Sequence, residues 1–132
     1  MSGVAIDTNV VLYSWRSNDR KAQLARELIR PGTTISVQVL NETASVLTGK
    51  YKVSWDDTAE FLHLVRSAVR VMPLNESIHE LGVSIAARYR VHIYDALILA
   101  SALAAQCDTL YSEDMHAGLV IENRLRIVNP FA

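Results

Sequence analysis

The chain has 132 residues, 50% apolar and 20% charged, and its 13 basic and 14 acidic side chains leave a net charge of −1. Such a length fits one domain (1–132) with one core, and so large an apolar share excludes a disordered chain. Five Gly and three Pro exclude collagen-like and linker-rich classes, a lone Cys excludes an internal disulfide framework, and no apolar run reaches the roughly 18–20 residues that span a bilayer.

In chain order, Gly3-Val4-Ala5-Ile6 is short and apolar, as a buried strand should be. Asp7-Thr8-Asn9 ends it, and Val10-Val11-Leu12-Tyr13 opens a short helix. Asp7 and Asn9 also break up the N-terminus where a secretory signal would be apolar, so a cytoplasmic setting is expected. Arg20–Ile29 reads as a helix with Ala22, Ala25, Leu28 and Ile29 on one face, stopped by Pro31-Gly32. Thr33–Ser36 is a second short strand. Ser36 can cap the next helix, whose stripe is Val37, Leu40, Ala44 and Leu47, with Gly49 at its end. Ser54 and Asp57 are spaced like a capping box before a helix packing Phe61, Leu62, Val65 and Val69. Val69–Leu74 reads as a strand. Asn75 or Ser77 then starts a helix carrying Ile78, Leu81, Ile85 and Tyr89.

Tyr94–Gln106, dense in Ala and Leu and apolar nearly all round, predicts a buried helix closed by a packed Cys107. Thr109–Tyr111 and Leu125–Val128 complete the strands, and Asn129-Pro130 ends the last. Strands alternating with helices predict an α/β layer fold with a mostly parallel sheet.

In such sheets ligands bind beyond the carboxyl ends of the strands. Asp7 lies just past the first strand, and Asp114 lies just past Thr109–Ser112. Asp95 enters the buried helix, and Glu42 flanks the helix after the second strand. From position alone each has a plain reading: Asp7 and Asp95 as caps or helix-dipole partners, Glu42 as a solvated flank, Asp114 as a loop acid. Taken together, four acids on one rim would repel each other unless a cation stands among them. Mg²⁺ or Mn²⁺, hard and oxygen-preferring, suits that role. Without those four acids the remaining chain carries +3.

The segments Ile6-Asp7-Thr8-Asn9-Val10, Ser36–Glu42, Tyr94-Asp95-Ala96-Leu97-Ile98-Leu99-Ala100 and Leu110-Tyr111-Ser112-Glu113-Asp114 resemble, in order and spacing, those of PIN-domain ribonucleases. Among these the chain is most similar to VapC-like toxins of toxin–antitoxin pairs, from Val4 to the Val128–Phe131 tail. The resemblance implies an α/β/α sandwich. It also implies that Asp7, Glu42, Asp95 and Asp114 hold a divalent metal, with Asn9 and Ser112 in support and the role of Glu113 open. It further implies RNA cleavage, with tRNA or rRNA as target, to 5′-phosphate and 3′-hydroxyl ends. A homodimer and a cognate antitoxin would complete the partners.

An acidic site repels a polyanion, so basic residues must hold the strand nearby. Arg16, Arg20 and Lys21 form one candidate group; Lys50 and Lys52, around Tyr51, form another, with Trp15 as a base-stacking candidate. A phosphorelay receiver would need an acid pair after the first strand, and an aspartyl phosphatase a second Asp where Asn9 stands. A non-catalytic RNA- or partner-binding α/β domain is the remaining alternative. The four His (63, 79, 92 and 116) are scattered, so no zinc site is expected; His92, three residues before Asp95, is a possible ligand or a loop residue.

Overall fold

The computed structural model describes residues 3–16 and 18–132. Its strands are β1 (Gly3–Ile6), β2 (Thr33–Ser36), β3 (Arg70–Met72), β4 (Cys107–Tyr111), β5 (Val120–Ile121) and β6 (Leu125–Val128). Its helices are α1 (Thr8–Arg16), α2 (Arg20–Leu28), α3 (Val37–Gly49), α4 (Trp55–Ala68), α5 (Glu76–Tyr89) and α6 (Ile93–Ala104). The strands form a single sheet in the order β3-β2-β1-β4-β6-β5, with helices on both faces, a three-layer α/β/α fold. All pairings are parallel except β5 with β6. Among the described residues no helix is long and apolar enough to cross a membrane.

This strand order positions the site. From β1 the chain builds outward through β2 and β3, then α5 and α6 carry it back to β4 on the other side of β1. The direction of winding therefore reverses between β1 and β4, and the loops leaving their carboxyl ends part there into a crevice. The register sets Val4 beside both Thr33 and Thr109, and Ile6 beside Tyr111, so β1 and β4 end level.

All four residues of β2 are buried, as befits a parallel strand covered on both faces. Its Thr33 hydroxyl is satisfied by the Leu28 carbonyl at 2.8 Å. In α6, every residue from Ala96 to Leu103 is buried. It lies against α5 at Gly82, where an added Cβ would stand 2.6 Å from Leu97 Cδ2. Gly82→Val should therefore lower the unfolding free energy by about 1–3 kcal/mol through overpacking. Urea denaturation reads this directly, and an unchanged midpoint would mean the two helices part freely.

Several boundaries differ from the sequence expectation. Helix α1 runs the full length from Thr8 to Arg16, and α6 begins at Ile93. Ile29 and Val69 cap α2 and α4 instead of lying within them. Cys107 opens β4 instead of closing α6, because Gln106 takes a left-handed φ of 65° that ends the helical path. Asn75, not Ser77, caps α5 by accepting from Ile78 N at 2.9 Å. The buried face of α3 is Gln38, Val39, Thr43 and Leu47, one step round from the expected stripe. Thr43 is tolerated inside because its hydroxyl donates to the Val39 carbonyl at 2.7 Å. Strand β5 was not expected. Glu122 and Asn123, both at positive φ, turn it onto β6, with Arg124 N donating to Ile121 O at 3.0 Å.

Candidate active site

Asp7 is the first residue past β1, and its N–H extends the ladder by donating to Tyr111 O at 3.0 Å. Its side chain is 4% exposed. Oδ1 accepts from Thr8 N at 2.7 Å, and Oδ2 accepts from Ser112 Oγ at 2.7 Å and Asn9 Nδ2 at 3.1 Å. A helix cap would take the second or third helical N–H; Asp7 takes the first, so its carboxylate is not spent on ordinary capping. Burial pushes its carboxyl up to about 6, against the bonds from Ser112 and Thr8, with Asp95 and Glu42 adding repulsion.

Glu42 is no solvated flank. Oε1 accepts from Thr8 Oγ1 and Oε2 from Gln38 Nε2, each at 2.9 Å. The Gln38–Glu42 pair has the i,i+4 spacing that sets side chains face to face on a helix. Asp95 lies in the first turn of α6, where it also complements the helix dipole. Burial raises its carboxyl, Glu42 and Asp114 raise it further, and His92 opposes them. Asp114, on the exposed loop after β4, accepts from Asn9 Nδ2 at 3.3 Å.

Asn9 and Ser112 join these groups. The Asn9 amide reaches Asp7 and Asp114, while its Oδ1 accepts Glu113 N at 3.1 Å. Ser112 is fully buried; beyond its bond to Asp7, its Oγ accepts Met115 N at 3.1 Å and so fixes the loop carrying Asp114.

Asp7, Glu42, Asp95 and Asp114 thus line one cavity of about 410 Å³. The ion pairs among the described residues are Lys21–Glu113 and Arg88–Glu122, and neither involves those four acids. Among the described residues no group of three or more His, Cys, Asp or Glu side chains is placed to hold an ion directly. The donors are nonetheless all hard oxygens, and Asp7 Oδ1 carries a single hydrogen bond. Such a set fits a divalent ion that keeps several waters and takes one or two carboxylates directly, as Mg²⁺ does.

Glu113 turns away from the cavity to Lys21 Nζ and Tyr13 Oη, which hold its carboxyl below the ordinary range. Lys21 is therefore occupied, and Arg20 donates to Phe131 O at 3.4 Å. Arg16 and Lys50 line a second cavity, whereas Lys52 lines neither. The aromatic rings on that cavity are Tyr13 and Tyr51; Trp15 is half-buried and packs against Tyr51 at 5.4 Å. His92 caps α6, its Nδ1 accepting Tyr94 N at 3.1 Å, so the cap occupies one of its two ring nitrogens. Sequence reasoning missed Gln38 and the Thr8 hydroxyl, the two groups that fix Glu42.

The family model described as PIN domain matches residues 4–118. No curated protein sequence matches the chain. Among solved structures, a toxin–antitoxin complex from Klebsiella pneumoniae is 24% identical, with TM-score 0.72 over 98% of each chain. VapC20 of Mycobacterium tuberculosis, a toxin that cleaves the sarcin–ricin loop, is 19% identical with TM-score 0.68, covering 85% of this chain and 90% of its own. VapBC2 from Rickettsia felis, bound to a promoter DNA fragment, is 16% identical with TM-score 0.61, covering 84% and 87%.

Proposed function

The chain belongs to the PIN-domain family, and on that premise we propose that it is a divalent-metal-dependent endoribonuclease acting as the toxin of a toxin–antitoxin pair. The observation that carries this reading is the convergence of Asp7, Glu42, Asp95 and Asp114 on one cavity that no Lys or Arg among the described residues lines. Like charges gathered at a topological switch point are unfavourable unless the site is built for a cation. Mg²⁺ or Mn²⁺ bound there would lower the pKa of attacking water and offset charge on the phosphate.

This chain's residues supply the rest. Thr8 and Gln38 hold Glu42, and Ser112 and Asn9 hold Asp7, so these carboxylates are ordered before substrate arrives. One of the four carboxylates would take the water proton. In-line attack on phosphorus would leave 5′-phosphate and 3′-hydroxyl ends, with no side-chain nucleophile.

The toxin assignment and a structured RNA target, tRNA or rRNA, draw support from the similar structures, one a toxin–antitoxin complex and one a cleaver of the sarcin–ricin loop. Exposed Trp55 and Leu64 on α4 offer apolar surface for a second copy or an antitoxin. Chelation tests the reading. EDTA should abolish cleavage of total tRNA and rRNA, and Mg²⁺ or Mn²⁺ in excess should restore it, read on denaturing gels. Undiminished cleavage in EDTA would overturn metal dependence; no cleavage of any RNA would favour a non-catalytic binding domain.

A further inference from the structure

We propose that the second cavity is a nucleotide subsite, in which Tyr51 stacks the base adjoining the scissile phosphate while Arg16 and Lys50 hold its backbone; this rests on the ribonuclease reading. The cavity encloses about 260 Å³ and shares Asn9, Leu12, Val46 and Asp114 with the acidic one. A ligand leaving the carboxylates across Asp114 therefore enters it directly. Its volume lies below the ~300 Å³ where drug-sized pockets begin, so it suits one planar base instead of a dinucleotide.

Its lining sets Tyr51 and Tyr13 beside the cations Arg16 and Lys50, with Glu113 engaged by Lys21 and Tyr13 and with Asp114 on the edge shared with the acidic cavity; aromatic faces among cations are what single strands bind. Lys50 Nζ lies 5.4 Å and Arg16 Cζ 5.9 Å from the centre of the Tyr51 ring. Arg16 also lies 5.4 Å from the Tyr13 ring, and neither cation pairs with a carboxylate among the described residues. An exposed cation–π contact is weaker than base stacking, and a phosphate is a better partner for a cation than a ring. On binding, the cations transfer to phosphate and free the ring for a base. Trp15 backs Tyr51 at 5.4 Å, which holds the ring in place. The neighbouring cations Lys21 and Arg20 are already engaged by Glu113 and Phe131 O, whereas Arg16 and Lys50 have no carboxylate partner among the described residues.

The test is fluorescence anisotropy with a short, unstructured, labelled oligoribonucleotide and Mg²⁺, in an Asp7→Asn background that does not consume the strand. Tyr51→Ala should weaken binding about tenfold, and Tyr51→Trp should restore it. Arg16→Gln should lower the slope of log affinity against log salt by about 0.7, the loss of one single-strand phosphate contact. Arg124→Ala is the control. It removes the same charge at the opposite end of the sheet, just before β6 begins, and should leave affinity and slope unchanged.

Equal binding by the Tyr51→Ala and parent proteins would overturn the subsite. So would failure of Trp to rescue, an Arg124→Ala effect matching that of Arg16→Gln, or no RNA binding by the parent. Competition by a polyglutamate peptide as strong as that of RNA would also overturn it, marking the cavity as a peptide site. If wild type cleaves RNA but the series is flat, the subsite fails and the nuclease stands. If the series behaves as stated but wild type cuts nothing, the cavity binds single strands and the nuclease reading fails.

Discussion

Asp7→Asn is expected to cut the cleavage rate by about a thousandfold, and to make the metal-free protein more stable at pH 7.5. The rate loss corresponds to the several kcal/mol of charge stabilisation that a correctly held divalent ion supplies. The stability gain follows from burial. Asp7 holds its proton up to about pH 6 in the fold, against 3.8 ordinarily. Between those values the folded state binds the extra proton, so stability falls as pH rises through that window, by about 3 kcal/mol once Asp7 is ionised. Asparagine removes that penalty but is a poorer partner for the donors of Thr8, Asn9 and Ser112. A net gain of about 1–2 kcal/mol remains after a lost charged-acceptor bond. Urea unfolding in EDTA at pH 7.5 and at pH 4 checks this, since the gain should vanish at the lower pH. Saturating Mg²⁺ should instead favour the wild type, which alone keeps the full ligand set.

Ser112→Ala is expected to act in the opposite direction on stability. The hydroxyl donates to a buried carboxylate and accepts a loop N–H, so its loss leaves Asp7 short of a donor and Met115 N without its acceptor. About 2–3 kcal/mol of stability should go with it at neutral pH. The Asp7 carboxyl should rise further, because the bond from Ser112 is among the influences that lower it. Cleavage should fall by about 10–100-fold, the usual effect of removing a group that orients a metal ligand. Ser112→Thr keeps the hydroxyl and should retain most activity. An equal loss in both variants would place the effect in packing instead of the hydrogen bond.

The contrast between these two residues bears on what the sequence reveals. The apolar run of α6 is legible because burial on all sides leaves almost no polar position to misread, and β2 because the β-branched Thr33-Thr34-Ile35 follows the Pro31-Gly32 break. The acids are legible as a group because Asp7 and Asp114 follow strands while Glu42 and Asp95 sit near helix starts, and the β1/β4 switch point explains how these distant segments meet. The face of α3 is not legible. Gln38 and Thr43 are polar yet buried, and their satisfaction by Glu42 and by Val39 O appears only once the helix has formed. Nor is β5, whose two residues are too few for a period to register. Which cations stay available is a tertiary fact as well. Lys21 and Arg16 look alike in sequence, but Glu113 takes the first and leaves the second beside Tyr51.

Anomalous diffraction from crystals soaked in manganese addresses the site most directly. One or two peaks should appear between Asp7, Glu42, Asp95 and Asp114, with carboxylate oxygens at coordination distance and water completing the shell. A cavity without anomalous signal at saturating manganese, its four acids unmoved, would contradict a metal-dependent nuclease centre.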